Sequence, residues 1–362
     1  MSASDISQGQ TLDTLARGVS KPKSAARFVS LICFLGALLL AVILFSLAIG
    51  AVHVAPGEIL AALFRHHPLT ETQRTILLQI RLPRVLASAV VGAALSISGL
   101  MFQGLFRNPM ADPYVIGSSG GAVLGACFGI IFFSQLSIFG FSGTALMAFA
   151  GSVITMAIVY SLARSNGRTN VTTLLLAGFA ISTMLVYSSY FFELLDASGS
   201  SNHAILLSWL HGVIGIPEWR QLAVSGVLLL LGAIIAMPLM RRLNTLALGD
   251  EYAHQLGLRV EYTRVGIILI GSLLTAVAVS IGGLISFAGL IVPHVARLIL
   301  GPDHVRLLPV TALSGAIFLV VADTLARSIF APTEIPVGVL MAFLGGPFFL
   351  YLLRKTKRSY VL

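Results

Sequence analysis

The sequence predicts an all-α polytopic membrane protein of about ten transmembrane helices. Of 362 residues, 57% are hydrophobic and only 10% charged. The mean hydropathy is +0.94, outside the range of soluble domains. Apolar runs fall at about 28–52, 85–106, 114–133, 143–163, 171–195, 222–241, 263–282, 285–299, 307–328 and 336–353, and a span needs roughly 20 apolar residues. The 35 glycines suit helices that approach closely in lipid. Ten spans use on the order of 200 residues, so the connections are short and no separate soluble domain fits.

Residues 1–27 form a polar tail carrying Arg17, Lys21, Lys23 and Arg27. The run that follows, 28–52, is too long for the core of a cleaved signal peptide and reads as an uncleaved first helix behind a cytoplasmic tail. Arg81-Leu-Pro-Arg84 precedes the second span, with Pro83 suited to the first turn of a helix. Gly117-Ser-Ser-Gly-Gly121 opens the third. After the sixth comes LNTLALGDEYAHQLGLRVEYTR, Leu243–Arg264, a polar, helix-prone island between two apolar runs. Gly282-Gly283 and Pro293 bracket the short eighth span. If that run and a neighbour are re-entrant, eight spans result, because irregular backbone at membrane depth survives only under protein or in a wet cavity. The segment 97–109, ISGLMFQGLFRNP, aligns without gaps to 281–293, IGGLISFAGLIVP, and either marks an internal repeat or is a chance match of apolar sequence. Residues 355–362 form a short C-terminal tail.

Ten spans put both termini on one side. On that side fall 17 of the 23 Lys and Arg, including Arg107, Arg164, Arg241, Arg259, Arg264 and Arg297. The excess places the termini and the Leu243–Arg264 island in the cytoplasm. The net charge of +9 is scattered over span ends, which argues against nucleic-acid binding. Cys33 and Cys127 lie in apolar runs and read as small fillers, in no metal or disulfide pattern.

There is no H-E-x-x-H and no phosphate-binding loop, so the chain has no nucleotide site of its own. His66-His67 reads as a solvated outer loop pair, the sharper alternative being contact with an iron-containing ligand in transit. His294 reads as a helix cap. Asp323 and Arg327, spaced i,i+4, are placed to pair, near the outer end and away from any midplane proton relay. A pathway of Ser, Thr, Gly and aromatic residues with few buried carboxylates suits a large substrate driven by an external energy source. An ion-coupled secondary transporter and an intramembrane enzyme are the rival classes, and neither needs the Leu243–Arg264 island. Positive charge at Arg81 and Arg84, against the inside bias, suits docking of an acidic surface or a snorkelling helix end.

Five stretches carry a family resemblance: 81–122, RLPRVLASAVVGAALSISGLMFQGLFRNPMADPYVIGSSGGA; 174–182, LLLAGFAIS; 247–258, ALGDEYAHQLGL; 285–309, ISFAGLIVPHVARLILGPDHVRLLP; and 322–353, ADTLARSIFAPTEIPVGVLMAFLGGPFFLYLL. With these the chain resembles the FecCD-type permeases of type II ABC importers for iron-siderophores, haem and cobalamin, over nearly everything from residue 28. The resemblance implies the type II importer permease fold, in a transmembrane domain over 28–354 with its coupling loop at 243–262. It implies an inner-membrane subunit that pairs with a second permease copy, a homodimer being the expected form. Two cytoplasmic ABC ATPases that use ATP and Mg, and a periplasmic binding protein, complete the assembly. The chain itself would hold no cofactor or metal.

The same resemblance implies site residues. Gly249, Asp250, Glu251, Ala253, His254, Leu256 and Gly257 match the loop that couples to the ATPase, with His254 standing where many relatives carry Arg. Arg81, Arg84 and Arg327 match the outward arginines that meet glutamates of the binding protein. Asn108 and Met110, with Val171 and Thr172, match the cytoplasmic gate. Ser118 and Ser119 are expected along the pathway. The expected substrate is an iron chelate, haem first or a ferric siderophore, with cobalamin as the alternative.

Overall fold

In the computed structural model, residues 22–49, 57, 70–165, 168–195, 200–331 and 333–359 are described. His66, His67 and the tail before residue 22 lie outside them. The chain is nearly all helix, and ten helices coincide with the ten apolar runs. They are α1 (Pro22–Ala48), α3 (Leu82–Leu105), α4 (Ser118–Phe132), α5 (Gly143–Ala163), α6 (Val171–Leu195), α8 (Trp219–Leu246), α10 (Val260–Gly282), α11 (Ala288–Leu300), α12 (His304–Ser328) and α13 (Val337–Ser359). Among the described residues, the short helices α2 (Glu71–Thr75), α7 (Ser200–Leu210) and α9 (Asp250–Gln255) do not span. Two-residue hairpins, β1 (Ser137–Ile138) with β2 (Phe141–Ser142) and β3 (Arg164–Ser165) with β4 (Arg168–Thr169), turn the chain before and after α5. Among the described residues seven helices are long and apolar enough to cross a membrane, while α4, α11 and the apolar part of α13 are shorter.

The hub is α3, which packs against α8, α10, α11 and α12. Small residues let it do so. A Cβ on Gly99 would lie 1.7 Å from the Gly289 carbonyl oxygen, and one on Gly92 would lie 2.2 Å from that of Gly315. The backbones of α3, α11 and α12 therefore touch where a larger residue would hold them apart. Hydroxyls supplement the contact with α10: Ser98 Oγ donates to the Gly271 carbonyl at 2.7 Å and lies 2.7 Å from Thr275 Oγ1. By contrast α1 and α6 sit at the periphery, with 6% and 11% of their spanning windows buried.

Several local expectations are corrected. Pro83 does sit in the first turn of α3, but the helix does not begin there. The helical run starts at Glu71, where Thr70 and Gln73 form a capping box, and continues through a π-helical turn at Ile76–Arg81 into α3. A proline inside a helix clashes with the carbonyl four residues back, and the wider π turn directly ahead of Leu82-Pro83 makes room for it. Pro293 likewise does not end the eighth span: α11 begins at Ala288 and runs through Pro293 to Leu300. His294 is therefore interior to the helix rather than at its end. The carbonyls near this proline take the Gln103 side chain, whose Nε2 lies 3.0 Å from the Leu290 oxygen and 3.5 Å from that of Gly289.

The proposed repeat does not hold in its gapless register. Residues 99–103 continue α3, while their counterparts 283–287 leave the helix, with Gly283 and Phe287 at φ of 65° and 68°. The two segments are instead packing partners through Gly99 and Gly289. Cys127 is buried, and Cys33 faces outward on α1.

Candidate functional site

Chemistry-bearing side chains gather at the two ends of the bundle. At one end the polar island resolves into the last turns of α8, the six-residue α9 and the first turns of α10. Gly249 and Gly257 bracket α9 with φ of 116° and 79°, angles that side chains resist. This confines the element to a fixed short helix. Ala253 is fully buried, while Leu248, Tyr252 and Leu256 are 64%, 65% and 68% exposed. Glu251 and His254 point outward with them. The tip is thus an apolar face with a polar margin, seated on one buried methyl group.

Asp250 faces the other way. Its Oδ1 receives Arg107 Nη2 at 2.8 Å, and its Oδ2 receives Arg264 Nη2. Arg107 also donates to the Leu246 carbonyl at 2.6 Å, from a backbone at φ 50°. It immediately precedes Asn108, whose side-chain oxygen accepts the Met110 N–H at 2.9 Å. Arg264, on α10, reaches the Thr169 carbonyl at 3.4 Å. Thr169 in turn donates its N–H to Glu261 at 3.2 Å and its hydroxyl to the same carboxylate. Thr169 closes the β3–β4 hairpin, two residues before Val171, where α6 begins. One carboxylate thereby joins α9 to the loop of Asn108 and Met110 and, through Arg264, to the hairpin ahead of Val171 and Thr172. Each pair is partly exposed, so each contributes at most about 1 kcal/mol; their importance is geometric.

At the opposite end Asp323 on α12 is 1% exposed. Arg84 binds it from Nε at 3.2 Å and Nη2 at 3.1 Å. The expected partner, Arg327, pairs with it more loosely, at 3.8 Å, and also donates to the Ser46 and Ile49 carbonyls. Arg81 is 5% exposed and donates to the Leu47 carbonyl at 2.7 Å. Glu334, half exposed, holds Arg84 Nη1 at 2.8 Å. The three arginines are thus brought together around the end of α1, largely covered, with Glu334 at the surface. Ser118 is buried with its hydroxyl 3.4 Å from the Pro113 carbonyl, and Ser119 is half-buried.

Sequence reasoning missed Arg107, Arg264, Glu261 and Glu334. Each was visible as a charge, and Glu261 stands at i,i+3 from Arg264, but the other partners lie from 14 to 250 positions away in the chain.

A polytopic helical bundle with a rigid polar element at one end and arginines gathered at the other defines a membrane permease that works with partners. Comparison with known proteins places it further: residues 38–355 match the FecCD transport family, and the chain belongs to that family. A cobalamin import system permease of Halobacterium salinarum is 44% identical over 284 residues, covering 78% of this chain and 74% of that protein. A hemin transport system permease of Yersinia pestis is 41% identical over 287 residues, covering 78% and 84%. A solved structure of an inward-facing ABC transporter, described as of metal-chelate type, superposes with a TM-score of 0.78 at 30% identity, over 90% of this chain and 99% of that one. The protein is a membrane-embedded permease subunit of a type II ABC importer. It is not itself an enzyme, and ATP hydrolysis belongs to a separate subunit.

Proposed function

We propose that this permease carries a large metal chelate from a periplasmic binding protein into the cytoplasm, with α9 as the element that ATPases drive. The observation that carries this reading is the double hold on Asp250. Arg107 and Arg264 connect α9 to the two loops that bear Asn108 and Met110, and Val171 and Thr172. Displacement of α9 by closing ATPases would pull both loops together, which is what a cytoplasmic gate requires. The exposed face of Leu248, Tyr252 and Leu256 supplies the docking surface. Both termini and α9 then lie in the cytoplasm, in agreement with the Lys and Arg excess, and the Arg84–Glu334 end faces the periplasm. There an acidic side chain of the binding protein replaces Glu334 on Arg84.

The test is Asp250→Asn in the assembled transporter reconstituted with its ATPase and binding protein. ATPase association is expected to persist, because the docking face is intact, while transport per ATP hydrolysed falls at least several-fold. Unchanged coupling would remove α9 as the transmitter.

Haem is the substrate placed first. Cobalamin is the second reading, favoured by the 44% identity to a cobalamin import permease. The absorption spectrum of the ligand retained by the matching binding protein separates a haem from a corrinoid and from a ferric siderophore.

A further inference from the structure

A cavity of about 400 Å³ opens at the α9 end, between the end of α3, the α8–α9 connection, α11 and the first residue of α12. Gln103, Arg107, His294, Arg297 and His304 supply its polar lining, with Leu298 at the edge. Three of these carry buried polar atoms that have no hydrogen-bond partner among the described residues: Gln103 Oε1, Arg297 Nη2 and His304 Nε2. Gln103 is 1% exposed and His304 6%. The other ends of both side chains are fixed. Gln103 Nε2 is held by the carbonyls beside Pro293, and His304 Nδ1 lies 2.7 Å from Asn244 Oδ1. Each buried polar group left unsatisfied costs about 1–3 kcal/mol, so three in one cavity mark the place of an occupant.

The charge of that occupant follows from Arg297 and Arg107. Among the described residues no carboxylate pairs with Arg297. Asp303, the acidic group at the start of α12, is turned elsewhere: its Oδ1 takes Asn244 Nδ2 and the Val305 N–H, and its Oδ2 lies 3.5 Å from Arg306 Nε. A guanidinium fork with free donors in a half-buried cavity matches a phosphate group. Beside the cavity α11 exposes Val295, Leu298 and Ile299 at 37%, 66% and 74%. Spaced i, i+3 and i+4, they form one apolar stripe leading away from the polar pocket.

We propose that this cavity binds the phosphate group of a membrane glycerophospholipid. Arg297 is its main cation, Gln103 Oε1 and His304 Nε2 accept headgroup hydrogens, and an acyl chain lies along Val295, Leu298 and Ile299. Because Arg107 lines the same cavity and holds Asp250, a lipid seated there also steadies the hold on α9. The site itself stands whether or not α9 transmits ATPase motion.

The test uses the detergent-purified full chain, delipidated, with dioctanoyl phosphatidylglycerol, dioctanoylglycerol or inorganic phosphate added, followed by thermal melting. Phosphatidylglycerol is expected to raise the melting temperature saturably, dioctanoylglycerol is not, and Arg297→Gln is expected to weaken the apparent affinity roughly tenfold or more. Arg306→Gln, outside the cavity, serves as the control and retains full affinity. An equal shift from inorganic phosphate alone overturns the lipid assignment in favour of a free anion. An unchanged response in Arg297→Gln overturns the site. Native mass spectrometry of the wild-type chain covers the case in which that variant does not fold. One phospholipid retained per chain is expected, and the absence of any phospholipid or phosphate adduct refutes the proposal.

Discussion

Asp323 is the residue on which one end of the bundle depends. It is buried beside Arg84 and Arg327, and its carboxylate is the compensating charge within reach of both. Removing one partner of a buried pair leaves the other uncompensated, at a cost of about 3–5 kcal/mol. Asp323→Asn keeps the shape and removes the charge, so a large drop in melting temperature in detergent is expected. Glu334→Ala is the comparison. Its side chain is 51% exposed, so less than about 1 kcal/mol is expected there. Equal losses in the two variants would refute the buried network. The arginines were legible in the sequence as positive charge on the unexpected face, and i,i+4 spacing suggested Asp323 with Arg327. The stronger bond, from Arg84 to Asp323, joins residues 239 apart, a distance no local pattern spans.

The elements divide into those that apolarity reveals and those that backbone detail decides. Ten apolar runs became ten helices, since burying every backbone polar group in lipid leaves helix as the available form. The π turn before Pro83, the helix at Ser200–Leu210 and the passage of α11 through Pro293 were not legible. Each depends on how neighbours absorb a break or cover a short mixed segment. The α3–α11 crossing gives a test. Gly99→Ala places a methyl group where the Gly289 carbonyl sits, and overpacking of that kind costs about 1–3 kcal/mol or more. Gly36 on α1 has nothing within 4 Å of its would-be Cβ, so Gly36→Ala is expected to be neutral or stabilising by up to about 1 kcal/mol. Melting of the two variants side by side checks the crossing. At α9 the polar island was legible as a helical element, but the hold of Arg107 and Arg264 on Asp250 was not. The tip's exposed apolar side chains are Leu248, Tyr252 and Leu256. Tyr252→Ala with Leu256→Ala is expected to weaken ATPase association at least tenfold, measured by co-purification and titration, while the chain melts normally because both side chains are exposed.

At the scale of the whole molecule, α6 poses a problem that lipid alone does not solve. Its outward residues include Leu176, Phe179, Met184, Tyr187 and Leu194, all more than 60% exposed. Exposure by itself is ordinary in a membrane, and α1 is equally bare. The two faces differ in chemistry. The outer face of α1 presents Val29, Phe34, Leu40 and Phe45. That of α6 interleaves Thr172, Thr183, Tyr187, Ser188 and Tyr190 among its apolar residues. Thr183 and Ser188 return their hydroxyls to helix carbonyls four residues back, at 2.9 Å each, while the tyrosines carry polar tips that hydrocarbon cannot satisfy. Such a face suits a wet pathway shared with a second copy, whereas that of α1 suits lipid. Cysteines at Thr183 and Tyr187, introduced singly into a chain lacking Cys33 and Cys127, are therefore expected to form cross-linked dimers in native membranes with a short bifunctional maleimide. Leu40→Cys in the same background is expected to remain monomeric. Efficient cross-linking at Leu40 and none on α6 would move the partner to the other side of the bundle.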